Sequence, residues 1–522
     1  MDRGNARTHR RPAHRVRRID IPIRSVRRVR RQADATLQKW GRSLVMKCNL
    51  IGGSWRTGAT SRRNINPSDL DDAIGDYAYA DVEQAHEAID AACDAQRGWR
   101  DSGIQARANA LDAIGSELLS RQTELGRLLS REEGKTLAEG IAEVARAGQI
   151  FKFHAAEAVR SGGESLPSVR PLVDVSITRE PVGVVGIITP WNFPIAIPAW
   201  KIAPALAHGN SVVFKPADLV PGSAWALADI IHRSGIPPGT FNLVMGRGSV
   251  VGNAMVASPN IHAISFTGSV DTGRNLLLQG ARQFKRMQLE MGGKNPLVVL
   301  DDADLDVAVD CAIQGAYYST GQRCTASSRF IVQKGIYTRF VNRVAEALEQ
   351  LRVGHALNAD TQIGPVVDSE QLRLDEAYVE IGRNEGAKLV CGGTTVARST
   401  RGHFLTPALF SEAAPKMRIA REEIFGPIAC AIPAKDYDEA LEMANDSEFG
   451  LSAGICTTSL KHAAHFRQHM RSGMVMVNVP TAGVDYHVPF GGTKSSSYGP
   501  REQGRYAAEF FTTVKTAYTK AY

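Results

Sequence analysis

The thiol of Cys324 stands in Gly321-Gln322-Arg323-Cys324-Thr325-Ala326-Ser327-Ser328, a setting of glycine and small polar side chains with almost nothing bulky and apolar to bury it. A cysteine read alone is more often a small core hydrophobe than a reactive group, and that is the reading for the other six. Around Cys324, the small polar run suits a turn leading into a helix N-terminus, where backbone N–H groups and the helix dipole favour a thiolate. Arg323 adds positive charge next door. A thiolate that attacks a carbonyl carbon needs an oxyanion donor, a site for the departing electron pair and a group that activates water.

The chain offers a candidate for each. Asn192 lies in Thr189-Pro190-Trp191-Asn192-Phe193-Pro194, where two prolines fix the loop and the side-chain amide can donate to an oxyanion together with the N–H of Cys324. Seen alone, it reads more readily as a turn Asn held by local hydrogen bonds. Glu290 ends an amphipathic stretch and meets Met291-Gly292-Gly293-Lys294, so a carboxylate beside a flexible double glycine can swing onto a water as general base. Seen alone, it reads as a solvated helix-end Glu. Phe266-Thr267-Gly268-Ser269 follows a predicted strand and opens a helix, the geometry that seats a phosphate on a helix N-terminus. Gly246-Arg247-Gly248 with Gly252 misses the G-x-G-x-x-G spacing and reads as a loop.

These side chains need a scaffold. A short strand with a Gly-Gly turn is expected at 49–55, and helices from 80 to 160, where Ala85, Ile89, Ala92 and Trp99 recur at helical spacing. Val173, Val175 and Ile177 alternate with polar residues as one face of an edge strand. Apolar strands at 182–188, 211–214, 241–244 and 263–266, with a helix through 224–232, imply βαβ units and a parallel sheet that binds ligands at its strand carboxyl ends. A second α/β block runs from 296–300 through 330–332 and a helix at 339–351 to 474–478. Another strand at 510–514, far in sequence from the one at 173–177, suggests edge pairing between subunits.

A chain of 522 residues exceeds what one hydrophobic core supports, so two or more lobes are expected. The net charge of +8 belongs to the first 45 residues, whose surplus of +11 leaves residues 46–522 at −3. This basic arm reads as a disordered extension ahead of the folded body, with a nucleic-acid tail or an Arg-rich transit segment as lesser readings. Seven scattered cysteines without C-x-x-C spacing argue against a disulfide framework or a zinc site. No metal is expected, and a reducing, cytoplasmic setting is. No run of about 18 apolar residues occurs, so no membrane span is expected.

Taken together, the motifs resemble the aldehyde dehydrogenase superfamily over residues 49–515. The segments that carry the likeness occur in the family's order: residues 189–194, Phe214-Lys215-Pro216-Ala217-Asp218, Phe266-Thr267-Gly268-Ser269, residues 289–294, Gly321-Gln322-Arg323-Cys324, Glu423-Ile424-Phe425-Gly426-Pro427 and Pro489-Phe490-Gly491-Gly492. The resemblance implies an α/β fold with a Rossmann-like cofactor-binding domain (46–158 and 182–292), an α/β catalytic domain (293–488) and a small β oligomerisation arm (159–181 and 489–522). It implies Cys324 as nucleophile, Glu290 as base and Asn192 as oxyanion donor. Lys215 would hold the adenosine ribose with Asp218 beside it, Gly268 and Ser269 would lie near the pyrophosphate, and Glu423 with Phe425 would hold the nicotinamide ribose and ring. Trp191 and Trp200 look like cofactor or pocket walls, and the enzyme would be a homodimer or homotetramer.

Asp218 stands where many members have Glu, which leaves NAD and NADP both open. The stretch 494–502 departs from the usual Lys-x-Ser-Gly pattern, which puts the local loop and the supporting role of Glu502 in question. Residues 321–329 and 484–490 look most like the α-ketoglutaric semialdehyde (2,5-dioxopentanoate) dehydrogenase group. Rival readings are a coenzyme-A-acylating enzyme, a dehydrogenase for succinic, glutaric or aromatic aldehydes, and a nucleic-acid binder that uses the basic arm. An acidic substrate needs a cation opposite its aldehyde end, and Arg323 and Arg160 are as readily structural ion-pair partners.

Overall fold

The computed structural model describes residues 46–160 and 162–520, which form one compact unit. The basic arm, with every reading of it, lies outside the described residues.

Two sheets organise the unit. The first runs, in spatial order, Ser54–Arg56, Asn49–Ile51, Phe241–Leu243, Ser211–Lys215, Val184–Ile188, Ala263–Thr267, Arg286–Glu290 and Ser497–Tyr498. Its five central strands are parallel, and the outer pairings are antiparallel. In chain order the five stand 3-2-1-4-5, so the order reverses between Val184–Ile188 and Ala263–Thr267, where an open α/β sheet forms its ligand crevice. The central strands are apolar on both faces because helices cover both, and Val184–Ile188, Ser211–Lys215 and Ala263–Thr267 are buried throughout.

The second sheet runs Lys388–Cys391, Ala408–Ser411, Ile428–Ala434, Arg329–Gln333, Pro296–Val299, Ser452–Cys456 and Met474–Val477, all parallel but for its first pair. Its own core gathers Leu297, Phe330 and Phe340. The helices expected between 80 and 160 form as Val82–Asp101, Ile104–Ser120, Gln122–Glu133 and Leu137–Arg160.

Three expectations need correction, and one element carries no signal in the sequence. A long hairpin, Thr60–Asn66 against Asp69–Tyr79, went unread because its strands are rich in Asp and Arg and largely lack the apolar alternation that announces a strand. Glu290 ends a strand, Arg286–Glu290, rather than a helix, and is buried. Gly248–Gly252 is a π-helical turn running into Asn253–Ala257, not a plain loop. The two distant strands pair with each other within one chain: Val173–Pro181 lies antiparallel to Thr512–Lys520, from Thr512↔Pro181 to Lys520↔Val173, with Glu164–Pro167 on its other side. Residues 510 and 511 close a short helix before that strand begins.

Candidate active site

The carboxyl edge of the first sheet sets several of the chemically interesting residues in one row. Ile188 pairs with Lys215, the Thr189 N–H donates to the Lys215 carbonyl at 3.2 Å, and Thr267 pairs with Glu290. Lys215 thus ends one strand and Glu290 another, with the crevice between them. The buried hydroxyls of Thr189 and Thr267, at the ends of the two strands that flank the order reversal, have no protein partner. Lys215 donates to Asp218 Oδ1 at 3.1 Å and to the Pro216 carbonyl at 2.9 Å, and burial lowers its pKa. Ser269 caps the helix Val270–Ala281, and the Gly268 N–H donates to the Glu290 carbonyl at 3.1 Å. A side chain at Gly268 would run into the Phe266 ring, so glycine keeps this turn close to the sheet. Unpartnered hydroxyls, an ammonium and a helix N-terminus along one edge fit the phosphates and ribose hydroxyls of a dinucleotide.

Cys324 comes from the second sheet. It lies in a turn that leads into the strand Arg329–Gln333, not into a helix, so no helix dipole supports it. The reason is the chain just before it. Ser319, Thr320 and Gly321 are left-handed in succession, with φ of 53°, 56° and 67°, and this kink turns the chain away from helical geometry. At Gly321 a Cβ would also strike the Gly426 carbonyl, so glycine permits both the turn and the close approach. The Asn295 amide then pins the loop, donating to the carbonyls of Cys324 and Ala326 at 2.7 and 2.9 Å. Thr481 Oγ1 donates to the Thr325 carbonyl at 2.8 Å.

The electrostatics also reverse the expectation. Burial, then the carboxylates of Glu423 and Glu290, push the Cys324 thiol well above its ordinary pKa. Arg323 does not offset them: its guanidinium turns to Glu139 at 3.1 Å and to Ser319 at 2.8 Å. Arg160 is likewise paired, with Glu157 at 3.1 Å.

Asn192 is buried, and its Nδ2 donates to the Gln322 carbonyl at 2.9 Å, two residues before Cys324. A buried lysine fixes its loop: Lys135 Nζ donates to the Asn192 carbonyl at 2.6 Å and to Glu143 at 2.7 Å. Glu143 in turn accepts from the N–H groups of Ile195 and Ala196. Glu290 accepts from Ser497 Oγ at 2.5 Å, and burial, then the neighbouring Glu502, hold its carboxyl well above the usual range. Glu502 itself accepts from Trp200 Nε1 at 2.7 Å and pairs closely with Lys201, so the departure at 494–502 leaves it tied into the site. Glu423 accepts from the Gly293 N–H at 2.8 Å, with its carboxyl raised by burial to about 7. Phe425 packs edge-on to Trp191 at 5.4 Å.

Asn192, Glu290 and Glu423 meet the Cys324 loop where the two sheets adjoin, while Lys215, Asp218, Gly268 and Ser269 line the carboxyl edge of the first sheet. Lys135, Glu143, Asn295 and Ser497 join them unannounced. Only Ser497 stood in a stretch already singled out, Asn295 directly follows another, and nothing in the sequence marks one lysine or glutamate in a helical region as buried.

Residues 55–517 match the aldehyde dehydrogenase family. The chain belongs to that family. It is an NAD(P)-dependent aldehyde dehydrogenase. It is similar to the alpha-ketoglutaric semialdehyde dehydrogenase of Bacillus subtilis, 40% identical over 476 residues that cover 90% of this chain and 98% of that one. It is also similar to the 2,5-dioxopentanoate dehydrogenase of Saccharolobus solfataricus, 40% identical over 87% of this chain and 95% of that one. Among solved structures, the betaine aldehyde dehydrogenase of Staphylococcus aureus in complex with NAD+ aligns with a TM-score of 0.90 at 33% identity, covering 94% of this dehydrogenase and 97% of that chain. No helix among the described residues is long and apolar enough to cross a membrane.

Proposed function

We propose that this dehydrogenase oxidises 2,5-dioxopentanoate to 2-oxoglutarate, using NAD or NADP, with Cys324 as nucleophile, Asn192 as oxyanion donor and Glu290 as base. The observation that carries the mechanism is the meeting of a thiol from one sheet with a buried carboxylate from the other, beside an amide tied to the cysteine loop. The names borne by relatives 40% identical over nearly the whole chain support the substrate.

When bound, the nicotinamide supplies the hydride acceptor. The chain's own groups do the rest. Lys215 and Asp218 hold the adenosine ribose, Gly268 and Ser269 receive the pyrophosphate, and Glu423, Phe425 and Trp191 seat the nicotinamide end. The Cys324 thiol gives up its proton to solvent water and its sulfur bonds to the aldehyde carbon. Asn192 Nδ2 and the Cys324 N–H stabilise the oxyanion. Departure of the hydride from that carbon leaves a thioester on Cys324. Glu290 takes a proton from water, the hydroxide oxygen bonds to the thioester carbon, the C–S bond breaks and the acid departs. Burial that raises the Glu290 pKa makes its carboxylate, once ionised, a stronger base than a solvated one. Its presence favours water over coenzyme A as the acyl acceptor.

Residues 46–158 and 182–292 form the dinucleotide-binding domain in this reading, and 293–488 the catalytic domain. The three-stranded arm, with Val514 and Tyr518 exposed, serves a homodimer or homotetramer in the cytoplasm. The test is steady-state kcat/KM for 2,5-dioxopentanoate, succinic and glutaric semialdehydes and an aromatic aldehyde, each with NAD and with NADP. The reading expects 2,5-dioxopentanoate to lead, and a preference for the uncharged aromatic aldehyde contradicts it.

A further inference from the structure

One half-buried cation near the site has no assigned work. Arg146 lies on the helix Leu137–Arg160, and its Nε is shut off from solvent with no hydrogen-bond partner. It makes no ion pair among the described residues, and its one side-chain bond is from Nη2 to the neutral Gln503 Oε1 at 3.2 Å. Gln503 is in the same condition: its Nε2 is buried without a partner, and its backbone is left-handed at φ 60°. Two adjacent side chains therefore hold donors that lack an acceptor, and one of them is charged. A buried donor left unpaired is costly, and more so when it belongs to a charged group. Burial lowers the Arg146 pKa, and Glu143 and Asp485 are the acids that act against this. Glu143, however, already serves Lys135 and two backbone N–H groups.

The position is as telling as the missing acceptor. The Arg146 guanidinium carbon lies 5.8 Å from the Trp200 ring, Trp200 packs on Phe490 at 5.5 Å, and Phe490 belongs to the small apolar cluster on which Cys324 rests. Two ring contacts thus lead from the thiol to the guanidinium. We propose that Arg146, steadied by Gln503, binds the carboxylate at the far end of the semialdehyde and so makes this enzyme select an acidic substrate. The proposal rests on the acidic-semialdehyde reading above. A guanidinium recognises a carboxylate through paired charge-assisted hydrogen bonds, while the two rings flank the uncharged carbons between it and the aldehyde.

The test compares kcat/KM for 2,5-dioxopentanoate with that for pentanal, a neutral aldehyde of the same chain length, in wild type, Arg146→Gln and Arg146→Lys. The ratio of acid to neutral is expected to fall about 30-fold in Arg146→Gln, chiefly through KM for the acid. Arg146→Lys is expected to recover part of that ratio, because the charge returns without the planar fork. An Arg146→Gln variant that keeps the wild-type ratio, whatever its absolute rates, overturns the assignment. Normalising to a ratio separates recognition from any general loss of folded protein. If wild type itself prefers pentanal, the acidic-substrate reading fails; if wild type prefers the acid and the variant's ratio stands, only the role of Arg146 fails.

Discussion

At the scale of single residues, the account turns on how a thiol that its surroundings hold protonated becomes a nucleophile. Burial and three carboxylates, Glu423, Glu290 and Glu502, raise the Cys324 pKa, and Glu423 is the first of the three. Removing a neighbouring negative charge favours the thiolate, so Glu423→Gln lowers the thiol pKa and enlarges the thiolate fraction at any pH below it. Alkylation of Cys324 by iodoacetamide at pH 8 is therefore expected to run several-fold faster in Glu423→Gln than in wild type. An unchanged or slower rate means that Glu423 does not govern the thiol. The sequence made Cys324 conspicuous through its small neighbours. It misled about their effect, because Gly, Thr and Ser suit a helix cap and an extended turn equally well, and because Arg323 is adjacent in sequence yet faces Glu139.

At the scale of elements, the Asn192 loop depends on a buried ion pair far from it in sequence. Lys135 and Glu143 are both fully enclosed, and together they hold the Asn192 carbonyl and the N–H groups of Ile195 and Ala196. Glu143→Gln takes from Lys135 its nearer counter-charge and leaves only Glu133 at 3.9 Å, and breaking such a buried pair costs about 3 kcal/mol. Denaturant unfolding is expected to show that loss, with kcat falling alongside; a midpoint within error of wild type contradicts the structural role. The parallel strands were legible, since runs such as Val-Val-Gly-Ile-Ile at 184–188 need no alternation when helices cover both faces. The hairpin at 60–79 was not, because polar strands with Asp69, Asp71, Asp72 and Asp76 carry no periodic apolar signal.

At the scale of the whole molecule, the site exists only where two sheets meet. Glu290 and Lys215 end strands of one, while Cys324 sits on a turn entering a strand of the other. Motif order made that pairing readable: separate short segments, each weak alone, are consistent with a single junction. What motif order left hidden is everything set by packing, including Arg146, which nothing distinguishes from the other arginines of the helical region until the fold buries its Nε. The two distant arm strands were found, but the register that joins them within one chain is tertiary information.

Because the junction divides the reaction between two sheets, the halves of the reaction are separable. Glu290→Gln keeps Cys324 and Asn192 and removes the base, so acylation should proceed while deacylation stalls. Rapid mixing of this variant with 2,5-dioxopentanoate and its preferred nicotinamide cofactor is expected to give a burst of about one reduced cofactor per subunit, then a steady rate at least 100-fold below wild type. The quenched protein should carry the added mass of the acyl group on Cys324. Steady turnover at the wild-type rate, with no burst and no acylated Cys324, would contradict the account.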